Sequence, residues 1–399
     1  MRMHPSKAIV GTWSDLLLGK KIVLGITGSI AAVECFELAR DLMRHGADVY
    51  AVLSPEAAKI VTPYTMSFAT GNEAIACIGP GVEHVQHFGM EGGADLLLIA
   101  PATANTLGKI ATGIDDTAVT TFATTALGAG RKVLLAPAMH AVMFDNPLVK
   151  KNLETLQAAG VMLIGPRLEN GKAKIAPRTE IVEAVLRALG PNDMQHVKVL
   201  IIGGSTEEMI DPMRTIGNKG TGEMAVELAL AAYRRGAKVE LWMGACRVPL
   251  PAHIATKRFS DLEALIEMLP QADADLTLVP AALADFIPGK VEGKLPSDLP
   301  LTLELERAPK ILPMLKQRRG KLVGFKAEHG LEEAELIAKA ESRLREYNLD
   351  AIVANDLRDV HPGSTAAVFI TAQGVQAHLS GSKRQAADAI LGLCQRLKG

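Results

Sequence analysis

At 399 residues, of which 48% are hydrophobic and 22% charged, the chain carries more apolar material than one ordinary core holds and is long enough for two domains. Its formal net charge of −1, with the signs interspersed, excludes a broadly basic surface for nucleic acid or anionic membrane and points to a small-molecule partner. No apolar run reaches the length of a membrane span, and the amino terminus lacks the charged-then-apolar pattern of a secretion signal, so a cytoplasmic protein is expected.

Residues 1–19 read as a polar extension with one short apolar patch, Leu16 to Leu18. KIVLGITGSIAAVE then supplies a strand, a turn at Gly25 and Gly28, and a helix whose Ala32, Phe36, Ala39 and Met43 share one face. The helix amino terminus points at Gly28 and Ser29, where unpaired N–H groups and the helix dipole favour an anion. The spacing departs from the dinucleotide fingerprint G-x-G-x-x-G. After the strand Val49 to Leu53, SPEAAKIVTP predicts a further turn and helix, with Ser54 at the strand's carboxyl end, where ligands of open α/β sheets bind. A strand from Asp95 to Ala100 enters the polar loop and helix PATANTLGKIATGIDD, and a strand from Lys132 to Pro137 runs into AMHAVMFDNP. The strand ends thus carry Ser, Thr, Asn or His, a polar rim on an apolar sheet. Residues 165–180, GPRLENGKAKIAPRTE, interrupt the pattern with a polar segment of flap-like, mobile character, and a helix from Glu180 to Leu189 with the Gly190-Pro191 break closes a first domain.

A fresh buried strand, VKVLII, opens the second half and runs into Gly203 and Gly204; helical periodicity returns only at Met224, Leu228 and Ala231. The intervening polar loop is far longer than the usual strand-to-helix turn, and its glycines with Arg214, Asn218 and Lys219 suit an anion. RHGADVYAVLS in the first half and RRGAKVELWMG in the second close similar strand–loop–helix–strand units. Continuous apolar strands alternating with amphipathic helices give an α/β chain of doubly wound, mostly parallel sheets. Four cysteines, Cys35, Cys77, Cys246 and Cys394, lack C-x-x-C pairing and are expected to be buried free thiols, with no protein metal site.

GITGSIAAVE, APATANTLGKIATGIDD and APAMHAVMF resemble the flavin-dependent cysteine decarboxylases, whereas GGSTEEMIDPMRTIGNKGTGEMA, PAALADF, EGKL, VGFKAE and LDAIVANDL resemble phosphopantothenate:cysteine ligase. Over about residues 20–395, in colinear order, the chain is similar to the bifunctional phosphopantothenoylcysteine decarboxylase/phosphopantothenate:cysteine ligase family of coenzyme A synthesis. The resemblance implies two Rossmann-like domains: a flavodoxin-like flavoprotein decarboxylase over 20–190 and a nucleotide-binding ligase over 191–399. It implies FMN at Gly28, Ser29, Ile30, Ser54, Ala102, Thr103 and Asn105. Loss of CO2 from a cysteine carboxylate needs an electron sink, which the family makes by oxidising the thiol to a thioaldehyde with the flavin carrying the electrons. The family's general base is a histidine shortly before the ADLLLIAPAT strand. His87 matches that spacing, with His84 the alternative. His140 stands where many relatives have the substrate-binding Asn of PAMN, and the flap lacks the family's Cys, leaving Lys172, Lys174 or Arg178 as candidates to grip the substrate phosphate.

For the ligase, the resemblance implies activation of 4'-phosphopantothenate by a nucleoside triphosphate, normally CTP with Mg2+ or Mn2+, to an acyl-cytidylate that the cysteine amine attacks. The nucleotide positions transfer to Val279, Pro280, Ala281, Asp285, Pro309, Lys310, Ile311, Leu312 and Phe325. Lys294 matches the essential lysine, and Arg214 with Asn218 match the pair that handles the acyl-cytidylate. Arg343 replaces one phosphate-binding lysine, and Tyr347 occupies the position of another. A homo-oligomer with trimeric decarboxylase and dimeric ligase contacts is implied, with no nucleic acid and no membrane. The competing readings are a two-domain nicotinamide-dependent oxidoreductase, which lacks the full fingerprint, and a flavin-binding carrier without turnover.

Overall fold

The computed structural model describes residues 4–169, 172–289, 293–295 and 301–397. The chain divides into two compact units, Met1–Gly190 and Pro191–Gly399.

Among the described residues, the first unit is built on a five-stranded parallel sheet in the spatial order Asp48–Leu53, Lys21–Ile26, Leu96–Ala102, Lys132–Pro137 and Met162–Leu163. Leu96–Ala102 is buried at every position, as a strand covered on both faces must be. One face packs on Leu38 and Leu42 of the helix Cys35–Arg44 and on Val185 of the helix Arg178–Leu189. The other packs on Val119 and Phe122 of the helix Ala118–Gly128. Numbered along the chain the order is 2-1-3-4-5, the flavodoxin-like winding, which reverses between Lys21–Ile26 and Leu96–Ala102.

The described part of the amino-terminal segment belongs to this core. A 3-10 turn, Pro5–Ile9, is followed by Leu17 at 0% exposure; Lys7 pairs with Asp48 at 2.5 Å, and the Arg44 guanidinium lies 4.9 Å from the Trp13 ring centroid. A segment anchored by isolated apolar side chains has no periodicity, which is why it reads as an extension. The flap, expected to be loose, forms an antiparallel ladder: Lys172–Lys174 pairs with Arg167–Glu169 on one side and Met139–His140 on the other. Asn170, Gly171 and the side chain of Lys172 lie outside the described residues.

Among the described residues, the second unit contains an eight-stranded sheet, ordered Ala255–Arg258, Lys238–Met243, Lys198–Gly203, Leu276–Val279, Lys321–Glu328, Ala351–Asp356, Ser364–Thr371 and Gly374–Ser382. The pairings are parallel up to Ala351–Asp356 and antiparallel beyond it, so the parallel part has the Rossmann order 3-2-1-4-5-6. Gly203 lets the helix Glu223–Arg234 lie on the first strand, since a Cβ there would stand 2.1 Å from that of Ala225. The long polar loop before this helix is not irregular throughout: Glu207–Asp211 and Arg214–Gly217 form a β-hairpin. Asp211 closes its turn by accepting the N–H groups of Met213 (2.7 Å) and Arg214 (2.8 Å).

Cys35 and Cys394 are buried as expected, but Cys77 is exposed and Cys246 is half-buried, its sulfur 3.4 Å from Nη1 of Arg258. Among the described residues no helix is long and apolar enough to cross a membrane. Because Leu17 is wholly enclosed, Leu17→Ala is expected to lower the stability of the first unit by about 2–5 kcal/mol, read from the denaturant midpoint of that unit's unfolding transition.

Candidate functional site

In an open parallel sheet the ends beside the winding reversal are where a ligand can approach the backbone. In the first unit these ends are tied together by Thr27, whose hydroxyl donates to the Pro101 carbonyl (2.6 Å) and accepts the N–H of Thr103 (3.1 Å). Ser29 caps the turn Ile30–Glu34, accepting the N–H of Ala31 at 3.4 Å, and Thr103 caps the helix Ala104–Thr112. Ser54 caps Pro55–Ala58 from the end of the adjoining strand. A Cβ on Gly28 would fall 2.5 Å from that of Glu56, so glycine is what allows these two rim loops to meet. Gly28, Ile30 and Asn105 are exposed, while Ala102 forms the buried floor. Beneath the rim, Cys35 donates to the Ala100 carbonyl, and burial raises its pKa so that the thiol stays protonated. The rim therefore offers hydroxyls, one exposed amide side chain and helix amino termini.

The histidines are placed differently. His87 sits on the helix Glu83–Phe88, its ring 4.6 Å from Tyr50 and 5.8 Å from Phe122, and its carbonyl accepts the N–H of Ala94. Burial, then the nearby charge of Lys21 at the amino end of its strand, lowers its pKa. His87 thus lies toward the amino end of the sheet and is not gathered with Gly28, Ser29 and Asn105. His84, one turn earlier, has a buried Nδ1 with no hydrogen-bond partner. His140 is exposed at the end of its short strand, opposite Lys172. Lys174 pairs with Glu169 (3.1 Å) and Arg178 with Asp41 (3.3 Å), so neither is a free cation.

The second unit brings its predicted residues together more completely. Val279, Ala281, Asp285, Pro309, Lys310, Ile311, Leu312, Phe325, Arg343 and Asn218 line one cavity of about 490 Å³, with Tyr347 among them. Asn218 is held there by donating to the carbonyls of Leu283 (2.8 Å) and Ala282 (3.3 Å). Lys310 pairs with Asp285. Arg343 stands 4.8 Å from the Tyr347 ring centroid and donates to its hydroxyl at 2.9 Å, so the two departures from the family pattern form one unit. Pro280 lines a second cavity of about 630 Å³ that shares Ala281, Phe325 and Lys219 with the first. This neighbour is also lined by His361 and by Lys383, which pairs with Glu223; sequence reasoning missed them because they come from the end of the chain, far from any glycine motif. Lys326, also missed, lines the first cavity.

Lys294 and Arg214 are outside the lining of both cavities. Lys294 is exposed, and Arg214 donates to Asp211 (3.0 Å) and to the carbonyl of Leu295 (3.4 Å). Glu292 and Pro296, on either side of this short segment, lie outside the described residues. Among the described residues no three His, Cys, Asp or Glu side chains cluster as metal ligands.

Comparison with known proteins agrees with this division. The Flavoprotein family model matches residues 12–190, and the model described as DNA/pantothenate metabolism flavoprotein C-terminal domain matches residues 194–397. The coenzyme A biosynthesis bifunctional protein CoaBC of Thermococcus kodakarensis is 47% identical over 363 residues, covering 89% of this chain and 90% of the relative. The chain belongs to the CoaBC family. The CoaBC protein of Methanocaldococcus jannaschii is 38% identical over 405 residues, covering 99% of this chain and 98% of its own, and that of Escherichia coli is 32% identical over 364, covering 86% and 87%. The CoaBC relatives thus span both units.

The depressed pKa of His87 has a consequence for stability. An unfolded histidine binds its proton near the ordinary value of 6.5 while the folded one resists it, so stability is full above about pH 6.5 and falls as pH drops through the lowered folded value. His87→Gln is expected to flatten the acid limb of the first unit's stability profile below about pH 6.5, measured by chemical denaturation at a series of pH values.

Proposed function

We propose that the chain catalyses two consecutive steps of coenzyme A biosynthesis. The unit Pro191–Gly399 joins 4'-phosphopantothenate to cysteine at the expense of a nucleoside triphosphate, CTP, and Met1–Gly190, with FMN, decarboxylates the resulting phosphopantothenoylcysteine to 4'-phosphopantetheine. The reading is carried by the gathering of the nucleotide positions Val279, Ala281, Asp285, Pro309 to Leu312, Phe325 and Arg343 around one cavity, in a chain whose 47%-identical CoaBC relative matches 89% of its length. The competing oxidoreductase and carrier readings leave that gathering unexplained.

In the ligase unit the carboxylate of phosphopantothenate attacks the α-phosphorus of CTP, releasing pyrophosphate, and the cysteine amine then displaces CMP from the acyl-cytidylate. The residues needed are cationic and orienting. Arg343, held against Tyr347, presents a planar, always-charged donor to phosphate, and Lys310 can exchange its bond to Asp285 for one to the nucleotide. Mg2+ or Mn2+ enters with the triphosphate, whose own oxygens supply ligands. Lys294 neutralises charge at the α-phosphate, and Arg214 and Asn218 handle the intermediate.

In the first unit the rim has the donor set an FMN phosphate requires, with Ser29 and the turn it caps, Gly28, Ser54, Thr103 and Asn105. The flavin, when bound, takes up and returns the two electrons that make the substrate carbon an electron sink. His140 and the adjoining strands Arg167–Glu169 and Lys172–Lys174 bind the substrate. For the base we assign His84 rather than His87: its orphaned Nδ1 supports the choice, whereas His87 is packed between Tyr50 and Phe122. We place both activities in the cytoplasm, in a homo-oligomer with trimeric and dimeric contacts.

The full-length protein is expected to be yellow and to release CMP and then CO2 from phosphopantothenate, cysteine and CTP. Absence of CMP release would remove the ligase assignment. His84→Gln should slow decarboxylation of added phosphopantothenoylcysteine by about 100-fold or more, with His87→Gln close to wild type. The reverse outcome would return the role to His87. Lys294→Gln should slow CMP release by about 100-fold and leave decarboxylation intact.

A further inference from the structure

Asp211 is 2% exposed, and its two carboxylate oxygens serve different ends. Oδ1 accepts the N–H groups of Met213 and Arg214, which closes the hairpin turn and is ordinary local chemistry for an aspartate followed by proline. Oδ2 is not accounted for by the turn. It accepts the N–H of Leu295 at 3.1 Å, from a segment 84 residues away, and the Nη1 of Arg214 at 3.0 Å. That same Nη1 lies 3.4 Å from the Leu295 carbonyl. The peptide groups of Leu295 are therefore gripped at both ends, N–H by a carboxylate and C=O by a guanidinium, and the residue immediately before is Lys294, exposed beyond the grip. Charge-assisted bonds of this kind are the stronger ones, and a buried carboxylate that lost them would be left without compensation for its desolvation.

We propose that Asp211 is a positioning residue of the ligase reaction, which sets Lys294 beside Arg214 by holding the backbone of Leu295. The inference rests on the role given above to Lys294. The Arg214 guanidinium and the backbone next to Lys294 meet because a single buried carboxylate binds both the hairpin turn and the segment carrying the lysine. A long, flexible lysine reaches its target productively only if its backbone is fixed, and a displacement of about 1 Å can cost on the order of 100-fold in rate. Asn at 211 keeps the size but offers an N–H pair where the N–H of Leu295 needs an acceptor.

The test is a double-mutant cycle on the full-length enzyme, with CMP release as one readout and decarboxylation of added phosphopantothenoylcysteine as the other. Asp211→Asn is expected to lower kcat for CMP release by about 10-fold or more, with the KM for CTP changed by less than about 3-fold and decarboxylation unchanged. Combined with Lys294→Gln it should cost much less than the product of the two single losses, the remainder being the part that acts through Arg214. Trypsin cleavage after Lys294 should quicken in Asp211→Asn at an unchanged melting temperature. Leu295→Pro, which removes the gripped N–H and leaves the hairpin untouched, should reproduce the kinetic loss even if Asp211→Asn fails to fold, whereas Leu295→Ala, which shortens the same side chain and keeps that N–H, should not. Losses that multiply in the double variant, or unchanged cleavage after Lys294, would overturn the proposal. Full CMP release by Lys294→Gln would instead sink the assigned role of Lys294, and this inference with it.

Discussion

Each unit depends on a constraint of parallel sheets: at the one place where the chain reverses its direction of winding, the helices leave to opposite faces and the strand ends between them stay uncovered. In the first unit that place lies between Lys21–Ile26 and Leu96–Ala102, and in the second between Lys198–Gly203 and Leu276–Val279. Backbone groups at such ends need partners, and short polar side chains supply them: Thr27 between Pro101 and Thr103, Asn218 on the carbonyls of Ala282 and Leu283. Glycine is required where two loops must share the opening, as Gly28 does against Glu56. The chemistry proposed for each unit follows from what these openings leave accessible.

Charge around the second-unit cavities is largely matched inside the protein before any anion arrives. Lys310 rests on Asp285, Lys383 on Glu223, and Arg343 on the ring and hydroxyl of Tyr347. A phosphate entering there exchanges one partner for another and does not need to gather cations from solvent. The side chains are ordered in advance, which reduces the entropy lost on binding.

The strands were legible because their apolar runs are continuous: every residue of Leu96–Ala102 is buried, and a run of that kind bounded by turn residues has few alternatives. That the residues lining the 490 Å³ cavity belong together was legible only through family motifs, since the lining is drawn from widely separated segments and no single stretch carries a pattern. The hairpin Glu207–Gly217 was hidden by its length. Its buried positions, Glu208 and Asp211, are charged while Met209 and Met213 are exposed, so no alternation of apolar and polar residues marks its strands. The amino-terminal segment and the flap were misjudged for a related reason, because single anchors such as Leu17 and ladders of three residues leave no repeating signal. Histidine spacing pointed to His87 with His84 as the alternative, and spacing along a helix does not reveal that both rings face Phe122, that His87 also meets Tyr50, or that Nδ1 of His84 is buried without a hydrogen-bond partner.

The margins of the eight-stranded sheet bear on how the protein behaves when concentrated. Ala255–Arg258 is four residues long and carries Lys257 and Arg258, while the opposite margin, Gly374–Ser382, is interrupted by a register shift opposite Phe369 and Ile370 and exposes Gln376, His378 and Ser380. A long, flat, uncharged border would invite strands from other molecules to add to it and seed a fibre. The first border is short and charged, and the second, although nine residues long and without Lys, Arg, Asp or Glu, is kept from lying flat by its register shift. The sheet can therefore be wide without becoming a template for its own aggregation.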